Sequence, residues 1–583
     1  MRKGIGVSPG VVVGTAYCIN EIFVNPTTRR LEAEEVMPEL ANYERARDAA
    51  AADLHSLYTK VATQVGTLEA SIFQAHEAIL RDPSFTAKIR AWIVDQHQSA
   101  TYALNQVLHE YTALFEKTED AYIRERLADV RDVILRISGH LSEVLHPEIE
   151  TLPEPLIVVA DELLPSHVVL LGHRKFVGIA TQAGGQTSHA ALLARSHGIP
   201  AVSGLRGMLK FVKTGDTIIV DGREGQVIVN PGPEIESAYR KLQREFFDLK
   251  DQLAATRDHP AVTADGVEIE LLANVNNLAD AEAAAAMGAS GIGLYRTEYL
   301  FLTHPDVPDE QEQLGVYKKI IAASPNHRVT IRTLDLGGDK TIPYLGHARE
   351  ANPFMGWRSI RLSFEHPEFF ATQIRAILRA AYGKKNDVRL MFPMITTLEE
   401  IRKVRKMVAR AKQQLDRQKK RYGTVPIGLM VEVPAAAICI ESLMDEVDFV
   451  SIGSNDLVQY LMAADRDNPR VSHLCQPLSP AVLRVLNNTI RSCIAAGKRC
   501  TLCGEMASAP RAFLLLFGMG LRSFSLSPAF VPSIKDLTSH LTQPRAEEIL
   551  NRALKLKTTS DVSRYLGTEI AKIAPNLKLL DTA

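Results

Sequence analysis

The residues of this chain with the clearest chemical potential lie in Gly184-Gly185-Gln186-Thr187-Ser188-His189-Ala190-Ala191. Paired glycines let the backbone turn tightly and approach a ligand, and the hydroxyls and first N–H groups of a following helix can hold an anion. His189 stands at that helix start. An imidazole with an ordinary pKa of roughly 6.5 is mostly neutral at pH 7, so one ring nitrogen is free to attack a phosphoryl group. Taken alone, the same pattern also suits a histidine capping an ordinary α/β turn.

A second group of reactive side chains recurs in the C-terminal half. Arg296, Arg332 and Arg466 suit a small, multiply charged anion, because a guanidinium grips phosphate or carboxylate oxygens in pairs. Glu432 and Asp456 are hard oxygen ligands of the kind Mg²⁺ uses when it keeps waters and takes its remaining oxygens from substrate. A carboxylate pair that merely balances the arginines is the alternative. Cys503 carries a thiol that is protonated at neutral pH and able to give a proton to a carbanion or enolate. With Cys500 it forms a C-x-x-C pair, which also admits a redox couple, half a zinc site or an inert buried thiol.

These residues need elements to hold them. From Gly266 onward, apolar runs alternate with helical stretches over about 260 residues, the size of a (β/α)8 barrel. The predicted strands are Val267–Asn274, Gly291–Arg296, Val329–Thr333, Val388–Pro393, Ile427–Glu432, Asp448–Gly453, Arg499–Cys503 and Ser523–Leu526. Arg296, Arg332, Glu432, Asn455, Asp456 and Cys503 then fall at or just past strand C-termini, where such barrels place catalysis.

The N-terminal half has a different texture. Short β-rich runs at 2–18, Leu156–Ala160, Phe176–Thr181, Thr217–Asp221 and Gln226–Val229 predict a small α/β domain. Between them, Val36 to about Leu145 is helical in pattern, with Arg81-Asp82-Pro83 as a turn, and reads as an inserted bundle. After Pro231-Gly232-Pro233, the residues Ile235, Tyr239, Leu242, Phe246, Leu249 and Leu253 form an apolar seam. That seam is too short for a free coiled coil, so it predicts a linker helix lying on a neighbouring surface. The expected division is 1–20 with 146–230 for the α/β domain, 21–145 for the helical insertion, 231–260 for the linker and 261–583 for the barrel.

At 583 residues the chain must be multidomain, and its 67 basic against 68 acidic side chains leave no global field for nucleic acid. The Met1-Arg2-Lys3 start is broken at Ser8-Pro9-Gly10 before it can form a signal peptide, and no membrane span is evident. Six cysteines in so long a chain fit a reducing compartment, so a cytosolic location is expected.

Together these motifs resemble Enzyme I of the bacterial phosphotransferase system, a family of PEP-utilising phosphotransferases. The resemblance rests on Gly184–Arg195, Gly293–Glu298, Arg332–Lys340, Asn352–Arg358, Val431–Ala436, Gly453–Leu457, Asp465-Arg466 and Cys503–Glu505. It implies that His189 is phosphorylated, that Arg296, Arg332, Asn455, Asp456 and Arg466 bind phosphoenolpyruvate, that Glu432 and Asp456 bind Mg²⁺, and that Cys503 protonates the departing pyruvate enolate. It further implies a phosphohistidine (swivelling) domain with an inserted carrier-binding bundle and a (β/α)8 TIM barrel that dimerises. The acceptor would be a histidine of an HPr-like phosphocarrier protein, at the first step of sugar uptake. Gln186 stands where the family usually has Arg, which removes one positive charge from the histidine loop. The alternatives are a regulatory paralogue or signalling module, or a relative of the dikinases and phosphoenolpyruvate synthases without their ATP-binding domain. The absence of an N-terminal sensory domain favours the sugar system over the nitrogen-related paralogue.

Overall fold

The computed structural model describes residues 2–19, 30–64, 73, 76–116, 121–141, 152–161, 176–182, 194, 199–255, 257, 259–302, 307–337, 350, 352–466, 468 and 471–580. His189 and the rest of Gly184–Ala191 lie outside the described residues.

The N-terminal sheet has eight strands: β1 (Arg2–Lys3), β2 (Ile5–Ser8), β3 (Val11–Ile19), β4 (Leu156–Ala160), β5 (Phe176–Thr181), β6 (Ala201–Ser203), β7 (Thr217–Asp221) and β8 (Gln226–Val229). Their order is β1-β8-β7-β3-β4-β5-β6-β2, so both edges come from one N-terminal segment that bends at Gly4. β3, β4, β5 and β6 run parallel, while β7 and β8 pair as an antiparallel hairpin. β4 is buried at every position, as its unbroken Leu-Ile-Val-Val-Ala run requires of a strand covered on both faces. β4, β5, β7 and β8 have the predicted bounds. β6 was not anticipated, because three residues are too few to show alternation.

Helices α1 (Val36–Gln64), α2 (Pro83–Val94), α3 (Ala100–Glu116) and α4 (Ala121–Leu141) follow β3 in the chain. They close over their own core, which includes Tyr43, Leu54, Phe85, Ile89, Leu104 and Ile134. Asp82 caps α2 by accepting from the Ser84 and Phe85 N–H groups, with Pro83 at the first helical position, as the Arg-Asp-Pro turn implied. The break between α2 and α3 carries neither Gly nor Pro; His97 makes it by adopting φ 50°.

The linker helix α5 (Pro233–Ala255) is tied to both halves. Gln243 accepts the Val13 N–H of β3 at 3.2 Å, and the Tyr239 hydroxyl meets the Asp221 carboxylate. Near its other end, Leu253 is buried in the core of the C-terminal domain.

That domain is a closed parallel barrel of β9 (Glu270–Val275), β10 (Ile292–Arg296), β11 (Arg328–Arg332), β12 (Asp387–Phe392), β13 (Ile427–Val431), β14 (Phe449–Ile452), β15 (Arg499–Leu502) and β16 (Ser523–Leu526). All eight predicted strands are present, with ends shifted by three residues or fewer. Helix starts are fixed by side chains: Asp309 with Glu312, and Thr397 with Glu400, form capping boxes for the helices Glu310–Ala323 and Leu398–Arg417. The second helix buries Ile401, Val404, Val408, Ala411 and Leu415, spaced at threes and fours, against the barrel wall.

The barrel interior is layered. At the bottom, Glu270 pairs with Arg328 and Arg499 and accepts from Ser523. Leu294, Met391, Met430, Phe449 and Cys503 fill the middle. The top layer is charged.

Candidate active site

The charged layer sits at the C-terminal mouth because polar side chains end or follow several of the strands, Arg296 on β10, Arg332 on β11 and Glu432 after β13. β13 reads Ile-Gly-Leu-Met-Val and is buried throughout; Glu432 follows it, and Pro434 then opens the next helix. Glu432 is 1% exposed. Its Oε1 accepts the Met394 N–H at 2.7 Å, and Met394 holds φ 55°, an uncommon conformation that aims the amide into the site. A side chain at position 453 would place its Cβ 2.7 Å from Glu432 Oε2, so Gly453 leaves room for the carboxylate. Asn455 and Asp456 lie in the first turn of the helix Ser454–Met462 that follows β14. Asn455 Oδ1 accepts the Glu505 N–H at 2.9 Å, joining this mouth segment to the one after β15.

Three guanidinium groups are woven through these carboxylates. Arg332 donates to Glu298 at 3.0 Å and pairs with Asp335 at 3.1 Å. Arg358 donates to both oxygens of Asp335, at 3.0 and 3.1 Å, and reaches Asp456 at 3.4 Å. Arg466 pairs with Asp456 at 3.0 Å. Burial works against the charge on Arg332 and Arg358, yet the surrounding carboxylates overcome it and raise both pKa values. The Nε groups of Arg332 and Arg358 are buried with no hydrogen-bond acceptor among the described residues.

Arg296 differs from the other three. Among the described residues, its one hydrogen bond is a 3.5 Å contact to Asn276 Oδ1, and no carboxylate pairs with it. Burial and the nearby Arg332 lower its pKa. Glu298 and Glu505 favour its charge from a distance, but among the described residues none pairs with it, and it faces a second cation, as suits an anion site.

Glu432 carries the opposite imbalance. Burial, then Asp456 and Asp335, push its pKa up to about 8 despite Arg332 and Arg358. Glu432 itself is thus short of positive charge, whereas Asp456 is met by Arg358 and Arg466. Among the described residues no group of three or more His, Cys, Asp or Glu side chains could hold a metal ion. Two carboxylates do fit Mg²⁺, which needs one or two protein carboxylates and draws its other oxygens from water and substrate.

Cys503 points inward beneath this layer. Its Sγ accepts from the Ser451 hydroxyl at 3.3 Å and lies 3.4 Å from the Ile452 carbonyl. Burial raises its pKa; Ser451, Arg332 and Arg296 oppose that shift. The C-x-x-C residues form neither a redox couple nor half a zinc site in this fold. Residues three apart on a strand face opposite sides, so Cys500 turns outward to the buried Cys493 of the helix Pro480–Ala495 while Cys503 faces the barrel lumen.

The barrel mouth therefore brings together Arg296, Arg332, Glu432, Asn455, Asp456, Arg466 and Cys503. Glu298, Asp335 and Arg358 were not singled out from sequence, though all three lie within the motifs at 293–298, 332–340 and 352–358. Their role emerges only from the ion pairs that join segments distant along the chain.

A parallel eight-stranded barrel with an arginine- and carboxylate-lined mouth, preceded by a small α/β domain with a helical insertion, matches the PEP-utilising enzymes domain by domain. Residues 250–543 match the PEP-utilising enzyme, PEP-binding domain, residues 152–225 the mobile domain of that family, and residues 3–126 its N-terminal domain. A phosphoenolpyruvate-protein phosphotransferase of Staphylococcus carnosus is 38% identical over 565 residues, covering 96% of this chain and 97% of that protein. One from Haemophilus influenzae is 36% identical over 568 residues, covering 97% and 98%. A solution structure described as Enzyme I (nEIt) is 33% identical, with a TM-score of 0.34, and covers 42% of this chain and 99% of its own. The chain belongs to the phosphoenolpyruvate-protein phosphotransferase family of PEP-utilising enzymes.

Proposed function

We propose that this protein takes the phosphoryl group of phosphoenolpyruvate onto His189 and passes it to a histidine of an HPr-like phosphocarrier protein, releasing pyruvate, as the entry step of phosphotransferase-system sugar uptake. The observation that carries this reading is Arg296, which has no ion-pair partner among the described residues, beside Arg332 at a barrel mouth that also holds the buried, charge-starved Glu432 carboxylate. In this reading Arg296, Arg332 and Arg466 grip the phosphate and carboxylate oxygens, and Asn455 orients the substrate. Glu432 and Asp456 hold Mg²⁺, which when bound offsets phosphate charge as the ester bond breaks. Cys503, which lies among apolar side chains, is the proton donor to the enolate carbon in this reading. The barrel acts as a homodimer in this account, and the protein works in the cytoplasm; no helix of the described residues is long and apolar enough to cross a membrane.

His189 must reach the barrel mouth in one step and a docked carrier in the next. Reacting atoms come within about 3–3.5 Å in each, so the two poses exclude one another. The α/β domain swings between them in this reading. Because Tyr239 and Gln243 are bonded to that domain, the first half of α5 travels with it and the pivot lies nearer Leu253, beyond the proline pair at 231–233.

The direct test supplies phosphoenolpyruvate, Mg²⁺ and a purified HPr-like carrier. Equal amounts of pyruvate and carrier phosphohistidine are expected. Pyruvate without protein phosphorylation, or a requirement for ATP, would return the chain to a dikinase-like or regulatory role. Arg296→Ala should weaken phosphoenolpyruvate binding about 10- to 100-fold, the loss of a charge-assisted hydrogen-bond pair, with an unchanged Tm. Calorimetric titration of the variant measures this, and unaltered affinity would remove Arg296 from the site.

A further inference from the structure

Ser451 is 1% exposed, on a barrel strand, and turned into the lumen. A buried hydroxyl needs a partner, and this one donates to the Cys503 sulfur at 3.3 Å. The strand carrying the sulfur is fixed as well: Asn274 donates to the Cys503 carbonyl at 2.9 Å and itself accepts from Ser525 at 2.7 Å. The thiol is thereby held at one place above Leu294, Met430 and Phe449.

We infer that Ser451 is a positioning residue for this reaction, orienting the Cys503 thiol and stabilising the thiolate left when its proton goes to the enolate carbon. The inference rests on the reading of Cys503 as proton donor. In that step the enolate oxygen lone pair closes the carbonyl, the C=C pair takes the proton from sulfur to form the methyl C–H bond, and the S–H pair remains as a thiolate. Solvent returns the proton before the next turnover. In the buried lumen the thiolate has few other means of support. Arg332 and Arg296 face it with positive charge, while Glu432 and the Cys500 thiol on its far side disfavour it. A hydroxyl donating directly to the sulfur favours the charged form.

The full-length Ser451→Ala protein tests this against Ser451→Thr, which keeps the hydroxyl, and Cys503→Ser. Thiolate absorbance at 240 nm, read as the difference between each protein and its Cys503→Ser counterpart, gives the titration of this one sulfur. Loss of a hydrogen bond to a charged group should move the midpoint up by about one pH unit and slow pyruvate formation about tenfold at pH 7. The alkaline limit of pyruvate formation should move up with it, since a weaker acid keeps its proton to higher pH. Ser451→Thr should restore both values, and phosphoryl exchange between His189 and a phosphorylated carrier should be the same in all three. A folded Ser451→Ala protein with the wild-type midpoint overturns the inference, as does equal loss in the Ala and Thr variants. If Cys503→Ser alone leaves pyruvate formation unchanged, the donor reading fails and takes the inference with it.

Discussion

His189→Ala should bring phosphoryl transfer to any carrier below detection, a loss of at least about 10⁴-fold, while phosphoenolpyruvate still binds the barrel with wild-type affinity. The asymmetry follows from the architecture, because Arg296, Arg332, Glu432 and Asp456 belong to a domain with its own core, separate from that of the α/β sheet. Pyruvate formation should stop as well, since the phosphoryl group has nowhere to go. Thr187 and Ser188 are the nearest hydroxyls in that segment, and neither is a competent nucleophile without a base. Carrier labelling with ³²P-phosphoenolpyruvate, beside calorimetry of binding, separates the two effects. A variant that still labels carrier would move the phosphorylated residue elsewhere.

Glu432→Gln should have the second-largest effect and should act on two properties in opposite directions. Removing one charge of the carboxylate pair should lower Mg²⁺-dependent autophosphorylation about 10³-fold, the scale on which preorganised electrostatic groups act in closed sites. The same substitution should stabilise the metal-free protein at alkaline pH. Glu432 is raised in the folded state from an ordinary 4.5 to about 8, so between those values the native protein binds more protons than the unfolded chain. Wild-type stability therefore falls as pH rises through that window, whereas it is unaffected by this group below about pH 4.5. Glutamine has no proton to lose and can still accept the Met394 N–H. Thermal unfolding in chelator should show the variant's Tm equal to wild type near pH 4 and above it near pH 8. A gap that shrank with pH would mean that Glu432 is already balanced without metal.

Much of the barrel was legible because parallel strands covered on both faces read as largely apolar runs, and in several of them the polar residue ending the run lies at the mouth. Ile427–Val431 followed by Glu432 shows this directly. What sequence could not supply was pairing. Asp335 lies between Arg332 and Arg358, and Asp456 between Arg358 and Arg466, only because distant segments converge at one rim. The C-x-x-C spacing was ambiguous for a related reason, since spacing along a strand does not say which face each thiol takes. The helix break at His97 was hidden because a residue other than glycine makes it. The short strand Ala201–Ser203 owes its place to its parallel neighbour β5 and not to any pattern of its own.

In the proposed reaction one histidine, outside the barrel, carries the phosphoryl group that the barrel releases. Mixing the full chain with phosphoenolpyruvate and Mg²⁺ in the absence of any carrier, quenching at alkaline pH and mapping the phosphate by peptide mass spectrometry tests it most directly. One pyruvate per chain is expected in a single burst, with phosphate confined to His189. Steady pyruvate release with no phosphorylated peptide, or phosphate on a residue of the barrel, would contradict it.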